Sequence, residues 1–340
     1  MKRFSIIVIA ALWLGAGAAT ARAGETFDAV KARGQVNCGV NTGLAGFALP
    51  DDKGVWRGLD VDVCRAIAAA MFGDASKVRF VPLTAQQRFT ALQSGEIDVL
   101  SRNTTWTSQR DIELGINFAG VDYYDGQGFL IARKADVKSA KELNGAAVCV
   151  LAGTTTELNL ADYFRANKMS FKPVVIEKNE ELAQAFFSNR CDAITSDTSQ
   201  LASIRAAFAP NPDDYIILPE IISKEPLGPA VRHGDDQWFD LVKWSLYAMI
   251  QAEEKGITSQ NVDTFKNTDD PEIKRMLGLT PGLGAAMGVD DRWAYQIIKQ
   301  VGNYGESFER NVGKGSKLKL ERGLNALWTN GGLMYAMPIR

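Results

Sequence analysis

Between residues 36 and 100, apolar runs of strand length alternate with stretches of helical period, and this alternation restricts the fold more than any other feature. Residues 36–40, 78–81 and 97–100 read as strands, the last in a buried pattern. Between them, Leu59, Val63, Ile67 and Ala70 repeat every three or four residues up to Gly73. Thr84 then caps a second helical stretch through Leu92, which Gly95 ends. The order strand, helix, strand, helix, strand implies right-handed crossovers and a parallel sheet, so the expected class is α/β.

The same kind of pattern starts again after a glycine-led extended stretch at residues 126–132. A short helix is expected at 139–144, strands at 147–151, 174–176 and 193–195, and a helix at 180–187. Residues 91–100 align without gaps on residues 185–194, with an Ala, a Ser and an Asp coinciding, and that register sets Asn103 opposite Asp197. Two similar lobes follow, their strand ends facing each other across a cleft. Residues 221–231, with Pro226, Gly228 and Pro229, supply a second crossing between them. The expected lobes are residues 24–128 plus 229–340, and residues 129–228. Asp235 or Asp236 caps a long helix through Lys255. Helical pieces at 271–277, 290–301 and 318–328 make a C-terminal extension with no legible chemistry of its own.

Residues 1–23 have the layout of a secretory leader: Lys2 and Arg3, an apolar run, then Ala21-Arg22-Ala23 as a small-x-small cleavage site. The run is short for a membrane span and ends in small residues, so cleavage near Ala23 is favoured over an anchor. The remaining chain exceeds most single cores in length, which also favours two domains. The formal net charge is −2, and loss of three basic leader residues makes the mature chain more acidic, which argues against nucleic acid or an anionic membrane surface as partner. Cys38, Cys64, Cys149 and Cys191 lack CxxC spacing and His233 is the only histidine, so no metal site is expected. In an exported chain disulfides are the better reading. Four cysteines allow three pairings; Cys38 with Cys64 and Cys149 with Cys191 is preferred because each bridge then closes within one lobe. Four buried free thiols are the alternative.

Residues 101–111, reading Ser-Arg-Asn-Thr-Thr-Trp-Thr-Ser-Gln-Arg-Asp, leave the carboxyl end of a strand, where open α/β sheets place their ligand crevices. Thr107 is a good N-cap and Arg110 falls in the first helical turn, whose free N–H groups already favour an anion. A guanidinium added there clamps a carboxylate bidentately, while Asn103 and Thr105 offer carbonyl and hydroxyl groups close by. This suits an α-amino acid; the alternative is a surface arginine paired with Asp111 or Glu113. Asp197, just past a strand at the start of a helix, fits an N-cap, a counter-ion for a ligand ammonium, or both. Thr154 and Glu157 have capping-box spacing. Gly313-Lys314-Gly315-Ser316 lacks the upstream glycine of a phosphate loop, and Met287 stands where a dinucleotide motif after Gly282-Leu283-Gly284 needs glycine, so no cofactor is expected. A Ser-His-Asp triad would have to use His233, which lies in a Gly/Asp-rich segment.

With these residues assembled, the chain resembles the extracytoplasmic solute-binding proteins of polar amino-acid ABC transporters over residues 36–256. The motifs are Gly58-Leu59-Asp60-Val61-Asp62, Leu92-x-x-Gly95-x-x-Asp98, Thr107-x-x-Arg110, Leu151-x-Gly153-Thr154-Thr155 and Ala193-x-x-x-Asp197. The glycine-threonine pair, the long tail and residues 333–338 look most like the general L-amino-acid-binding members. The resemblance implies a type II periplasmic-binding-protein fold, two α/β lobes hinged on two crossing strands that close on a ligand. It also implies a non-enzymatic periplasmic monomer that delivers free L-amino acids, polar and acidic ones included, to the membrane permease subunits of an ABC transporter. Arg110, with the backbone at Thr105 and Thr155 in the Gly153-Thr154-Thr155 turn, would hold the α-carboxylate. Asp197, the Asn103 carbonyl and the Thr105 hydroxyl would hold the α-ammonium. Arg88 occupies the place of a basic residue that contacts the ligand side chain in glutamate-binding relatives. Leu44 stands where many relatives have a stacking aromatic, which would leave the pocket open on one side and specificity broad. A periplasmic enzyme on the same scaffold, such as a cyclic amino-acid dehydratase, would need a general acid in the cleft, and the sequence offers no convincing one.

Overall fold

The computed structural model describes residues 24–340, so the leader lies outside the described residues. The alternation in residues 36–100 becomes a sheet in which Val36–Asn41 lies between Val78–Leu83 and Val99–Leu100, parallel to both. Each parallel return needs a crossover, and the helices Leu59–Phe72 and Arg88–Gln93 supply them. Val36–Asn41 is buried at every position, as a strand covered on both faces must be.

The expectation of a wholly parallel sheet needs correction. Ala230–Arg232 inserts antiparallel between Val99–Leu100 and Ile116–Phe118, because it arrives from the second crossing and not through a helical crossover. The second sheet runs Tyr215–Ile217, Tyr123–Ala132, Ala193–Asp197, Ala147–Leu151, Lys172–Ile176, with the last three mutually parallel. Both of its faces are covered: Phe129, Ile131, Val148 and Val150 enter one hydrophobic cluster, while Leu130, Cys149 and Leu151 enter the other, the period-two alternation of a strand.

Two antiparallel strands join the sheets. The first half of Tyr123–Ala132 pairs with Ser223–Leu227, from Tyr123 opposite Leu227 to Gln127 opposite Ser223. At the base of this ribbon the chain segments touch backbone to backbone: a Cβ on Gly228 would lie 2.0 Å from the Gly120 carbonyl oxygen, so only glycine fits.

Cys38 is bonded to Cys64 and Cys149 to Cys191, with Cα atoms 6.1 and 5.7 Å apart. The first bridge fastens a central strand to the helix Leu59–Phe72; the second joins Ala147–Leu151 to the turn before Ala193–Asp197.

The extension packs on the first lobe, its helix Trp293–Gln300 lying against both Leu59–Phe72 and Asp236–Glu254. Asp62 Oδ2 accepts hydrogen bonds from Ser307, Arg310 and Asn311 at 2.6–2.7 Å, so the second acid of Gly58-Leu59-Asp60-Val61-Asp62 anchors the tail. The expected helix at 318–328 is replaced by 3-10 turns at Gly323–Asn325 and Trp328–Asn330, and that at 139–144 by a single turn, Ala140–Glu142. Gly323, at φ +48°, interrupts the first of these helical patterns. Tyr304–Asn311 was not anticipated, although Asn303 and Glu306 form a capping box at its start. Among the described residues no helix is long and apolar enough to cross a membrane.

Candidate ligand-binding site

Residues 101–107 carry the chain from Val99–Leu100 to the helix Ser108–Glu113, along the second crossing strand. Trp106 N–H donates to the Pro226 carbonyl at 2.8 Å and Gly228 N–H to the Thr104 carbonyl at 3.1 Å, which holds this segment at the mouth of the cleft. Thr107 caps the helix by accepting from Arg110 N–H at 3.2 Å. The Arg110 side chain turns inward, is buried, and donates from Nη1 to the Thr105 carbonyl at 2.8 Å. The alternative of a surface ion pair with Asp111 or Glu113 is excluded.

A second arginine shares its packing. Arg88 and Arg110 place their guanidinium carbons 4.8 and 5.1 Å from the centre of the Phe89 ring. Arg88 reaches Thr104 Oγ1 at 3.3 Å and, across the cleft, the Gly153 carbonyl at 3.4 Å; its Nε is buried without a partner. A third, Arg102, donates from Nε to the Leu83 carbonyl and from Nη1 to Asn103 Oδ1.

The opposite wall is the turn into the helix Thr155–Ala166 and the end of Ala193–Asp197. Thr154 caps the helix by accepting from Glu157 N–H, while the Glu157 carboxylate reaches back to Gly153 N–H. The N–H groups of Thr155 and Thr156 open the helix and so have no acceptor within it, the kind of position that favours an anion. Gly153, at φ +72°, lies against Gln86 of the first lobe; a Cβ there would come within 3.0 Å of the Gln86 side chain. Asp197 holds the N-cap position of Thr198–Phe208, yet its side chain makes no capping bond and is free for the cleft.

Between the walls lies a small polar cavity. Arg88, Arg102, Asn103 and Thr105 line it from the first lobe, and Leu151, Thr154, Thr155, Thr156, Ser196, Asp197 and Gln200 from the second. Burial holds all three guanidiniums below the ordinary arginine range, Arg102 and Arg110 down to about 10 and Arg88 well below its usual value. Burial pushes the Asp197 carboxyl well up, with Asp125 and Glu225 adding to the rise and Arg88 and Arg110 opposing it. None of the three arginines has a carboxylate within ion-pair distance among the described residues, so the guanidiniums are left incompletely paired at the cleft.

Leu44 is not brought into this constellation. It is 2% exposed and packs with Phe47 and Ala48 in the main cluster of the first lobe, its backbone bridged to Ala48. Sequence reasoning missed Arg102, Gln200 and Glu225. Arg102 stood in the segment singled out for its neighbours. Glu225 lies on the crossing strand Ser223–Leu227 and is 1% exposed, accepting from Thr105, Thr155, Asn159 and Ser223. A glutamate inside an extended Pro/Lys-containing stretch carries no local sign of burial.

Two α/β lobes on a pair of crossing strands, with a zwitterionic polar cleft between them, define a periplasmic-binding-protein fold of type II. Residues 36–260 match the family described as Bacterial extracellular solute-binding proteins, family 3, and the chain belongs to that family. It is 60% identical to the general L-amino acid-binding periplasmic protein AapJ of Rhizobium johnstonii, over 97% of this chain and 96% of that one. It is 55% identical to the glutamate/glutamine/aspartate/asparagine-binding protein BztA of Rhodobacter capsulatus, over 99% and 98%. Among solved structures, a periplasmic binding protein from Brucella ovis with glutathione bound is 60% identical and superposes with a TM-score of 0.90, over 93% of this chain and 99% of that one.

Proposed function

We propose that the chain captures L-amino acids with broad specificity, polar and acidic ones included, in the periplasm and delivers them to the permease subunits of an ABC transporter. One observation carries the reading. Arg110, buried just behind the cavity wall on the Thr105 carbonyl, and the N–H groups at the start of the Thr155 helix stand near Asp197, which lines the cavity; Arg110 and Asp197 each feel the other's charge, an arrangement matched to the two charges of an amino-acid zwitterion. The names of AapJ and BztA support it.

In this reading Arg110 takes the α-carboxylate, with the backbone at Thr105 and Thr155. Asp197 takes the α-ammonium with the Asn103 backbone carbonyl and Thr105 Oγ1. The Thr105 hydroxyl donates to Glu225 at 2.6 Å, so its lone pairs face the ligand as acceptors. Gly153 and Thr154 shape the carboxylate turn, and Arg88 faces the ligand side chain. The moving units are residues 24–128 plus 229–340 and residues 129–228; the leader is cleaved near Ala23, and the mature protein acts as a monomer that changes no bond in its ligand. Mass spectrometry of the ligand that copurifies, followed by calorimetry against the twenty amino acids, tests the reading. Several amino acids bound and recovered unchanged are expected; a converted product or a single bound amino acid would overturn it.

A further inference from the structure

Four side-chain amides close a ring across the cleft. Asn41 Nδ2 donates to Asn103 Oδ1 at 3.0 Å, Asn103 Nδ2 to Gln200 Oε1 at 3.2 Å, Gln200 Nε2 to Asn179 Oδ1 at 2.7 Å, and Asn179 Nδ2 back to Asn41 Oδ1 at 3.0 Å. Each amide donates once and accepts once around the ring. Its direction is fixed from outside, because neighbours that can only donate or only accept distinguish amide oxygen from amide nitrogen. Asn41 Oδ1 accepts the Gly43 N–H at 3.1 Å, Asn103 Oδ1 accepts from the Arg102 guanidinium at 3.4 Å, and Asn179 Nδ2 donates to the Gly43 carbonyl at 3.3 Å. Gln200 is then left with one orientation that completes the circuit.

Two of the four bonds stay within a lobe and two cross between lobes. Asn41 ends Val36–Asn41 and Asn103 lies three residues past Val99–Leu100, while Asn179 and Gln200 lie in the first turns of Asn179–Phe187 and Thr198–Phe208. The bonds Asn103–Gln200 and Asn179–Asn41 therefore exist only while the lobes are together. All four side chains are buried, at most 9% exposed, so opening one crossing bond alone strands its partners without water. The two must open together. Asn103 and Gln200 also line the ligand cavity, whereas Asn41 and Asn179 do not.

We infer that this ring is the latch of the closed state, with Asn41 and Asn179 as positioning residues that set how long any ligand is held without touching it. The inference rests on the amino-acid reading of the cleft. A latch acts after encounter, so it changes the dissociation rate and leaves association alone, and it changes dissociation by one factor for every ligand.

The test is stopped-flow tryptophan fluorescence on the full mature chain with L-glutamate, L-glutamine and L-alanine. Asn179→Ala and Asn41→Ala should each raise koff roughly tenfold for all three ligands, with kon within about twofold of wild type. The double variant should be no worse than either single one, because one missing amide already opens the ring. Asn179→Asp keeps the volume and the acceptor for Gln200 but lacks the donor to Asn41; it should behave like Asn179→Ala, and it serves if the alanine variant folds poorly. Unchanged koff, additive losses in the double variant, or one ligand weakened far more than the others would each overturn the latch. A wild type that binds none of the three removes the premise of both readings, while one that binds all three alongside unaltered variants overturns the ring alone.

Discussion

The hydroxyl oxygens of Thr105 and Thr155 lie 3.3 Å apart across the cleft, and both donate to Oε2 of Glu225, at 2.6 and 2.8 Å. Glu225 belongs to neither wall; it stands on the second crossing strand, where its other oxygen accepts from Asn159 and Ser223. The two walls thus meet through a carboxylate of the hinge itself. Glu225→Ala leaves two cleft hydroxyls without their acceptor, and ligand affinity is expected to fall by about 1.5–3 kcal/mol, the range for hydrogen bonds to a charged group. Calorimetry with the copurifying amino acid measures it; wild-type affinity would show that the hydroxyls do not depend on the carboxylate.

Arg110→Ala and Asp197→Ala are each expected to abolish detectable amino-acid binding while the circular dichroism spectrum stays that of the wild type. Each variant leaves one ligand charge unpaired in a desolvated cleft, a loss on the order of 3–5 kcal/mol. Affinity within threefold of wild type for either would remove that residue from the site.

Arg88→Ala is expected to weaken glutamate and aspartate far more than alanine or leucine, because it withdraws a buried guanidinium from the ligand side chain and not from the shared backbone groups. Equal weakening across the panel would assign Arg88 to its bond with the Gly153 carbonyl, a purely structural contact across the cleft.

Stability should fall as the pH rises from about 4 towards 7. Burial pushes the Asp60 carboxyl up from 3.8 to about 7, against its hydrogen bond from Asn103 N–H and the nearby Arg102. Between those values the folded chain keeps a proton that the unfolded chain has lost. The contribution is therefore complete below the unfolded pKa, lost as the pH rises to the folded one, and constant above it. Asp122, also buried and pushed up by burial and by Asp60, shares in this loss, so the drop belongs to the pair. Urea unfolding at about pH 5 and about pH 7 in wild type and Asp60→Asn checks it: the variant should show the smaller drop, and an equal drop would place the proton elsewhere.

Peptide mapping without reduction should find Cys38 joined to Cys64 and Cys149 joined to Cys191. The bridges enclose sequence separations of 26 and 42 residues. In the chain-entropy model each contributes roughly 3–4 kcal/mol, so reduction should lower the thermal midpoint markedly. A peptide linking Cys64 to Cys149 would contradict both pairings.

What the sequence determined by itself was whatever burial writes locally. A packed helix must be apolar every three or four residues and a strand every second one, so Leu59–Phe72 and Asp236–Glu254 were legible from the helical period and Val36–Asn41 from the alternation of Val36, Cys38 and Val40. The Thr107 cap and the inward Arg110 were legible too, because capping chemistry spans only three residues. Cysteine pairing followed once the lobes had been read. What only the tertiary structure decided were relationships between residues far apart in the chain. Glu225 lies 120 residues from Thr105, and Asn179 lies 138 from Asn41, yet each pair is in hydrogen-bond contact and buried. A polar side chain carries no local mark of whether it will face water or a partner from another lobe. Leu44 stands outside the cavity lining for the converse reason: its loop folds back on Ala48 and turns the side chain into the core, a direction set by that backbone bridge and not by the residue.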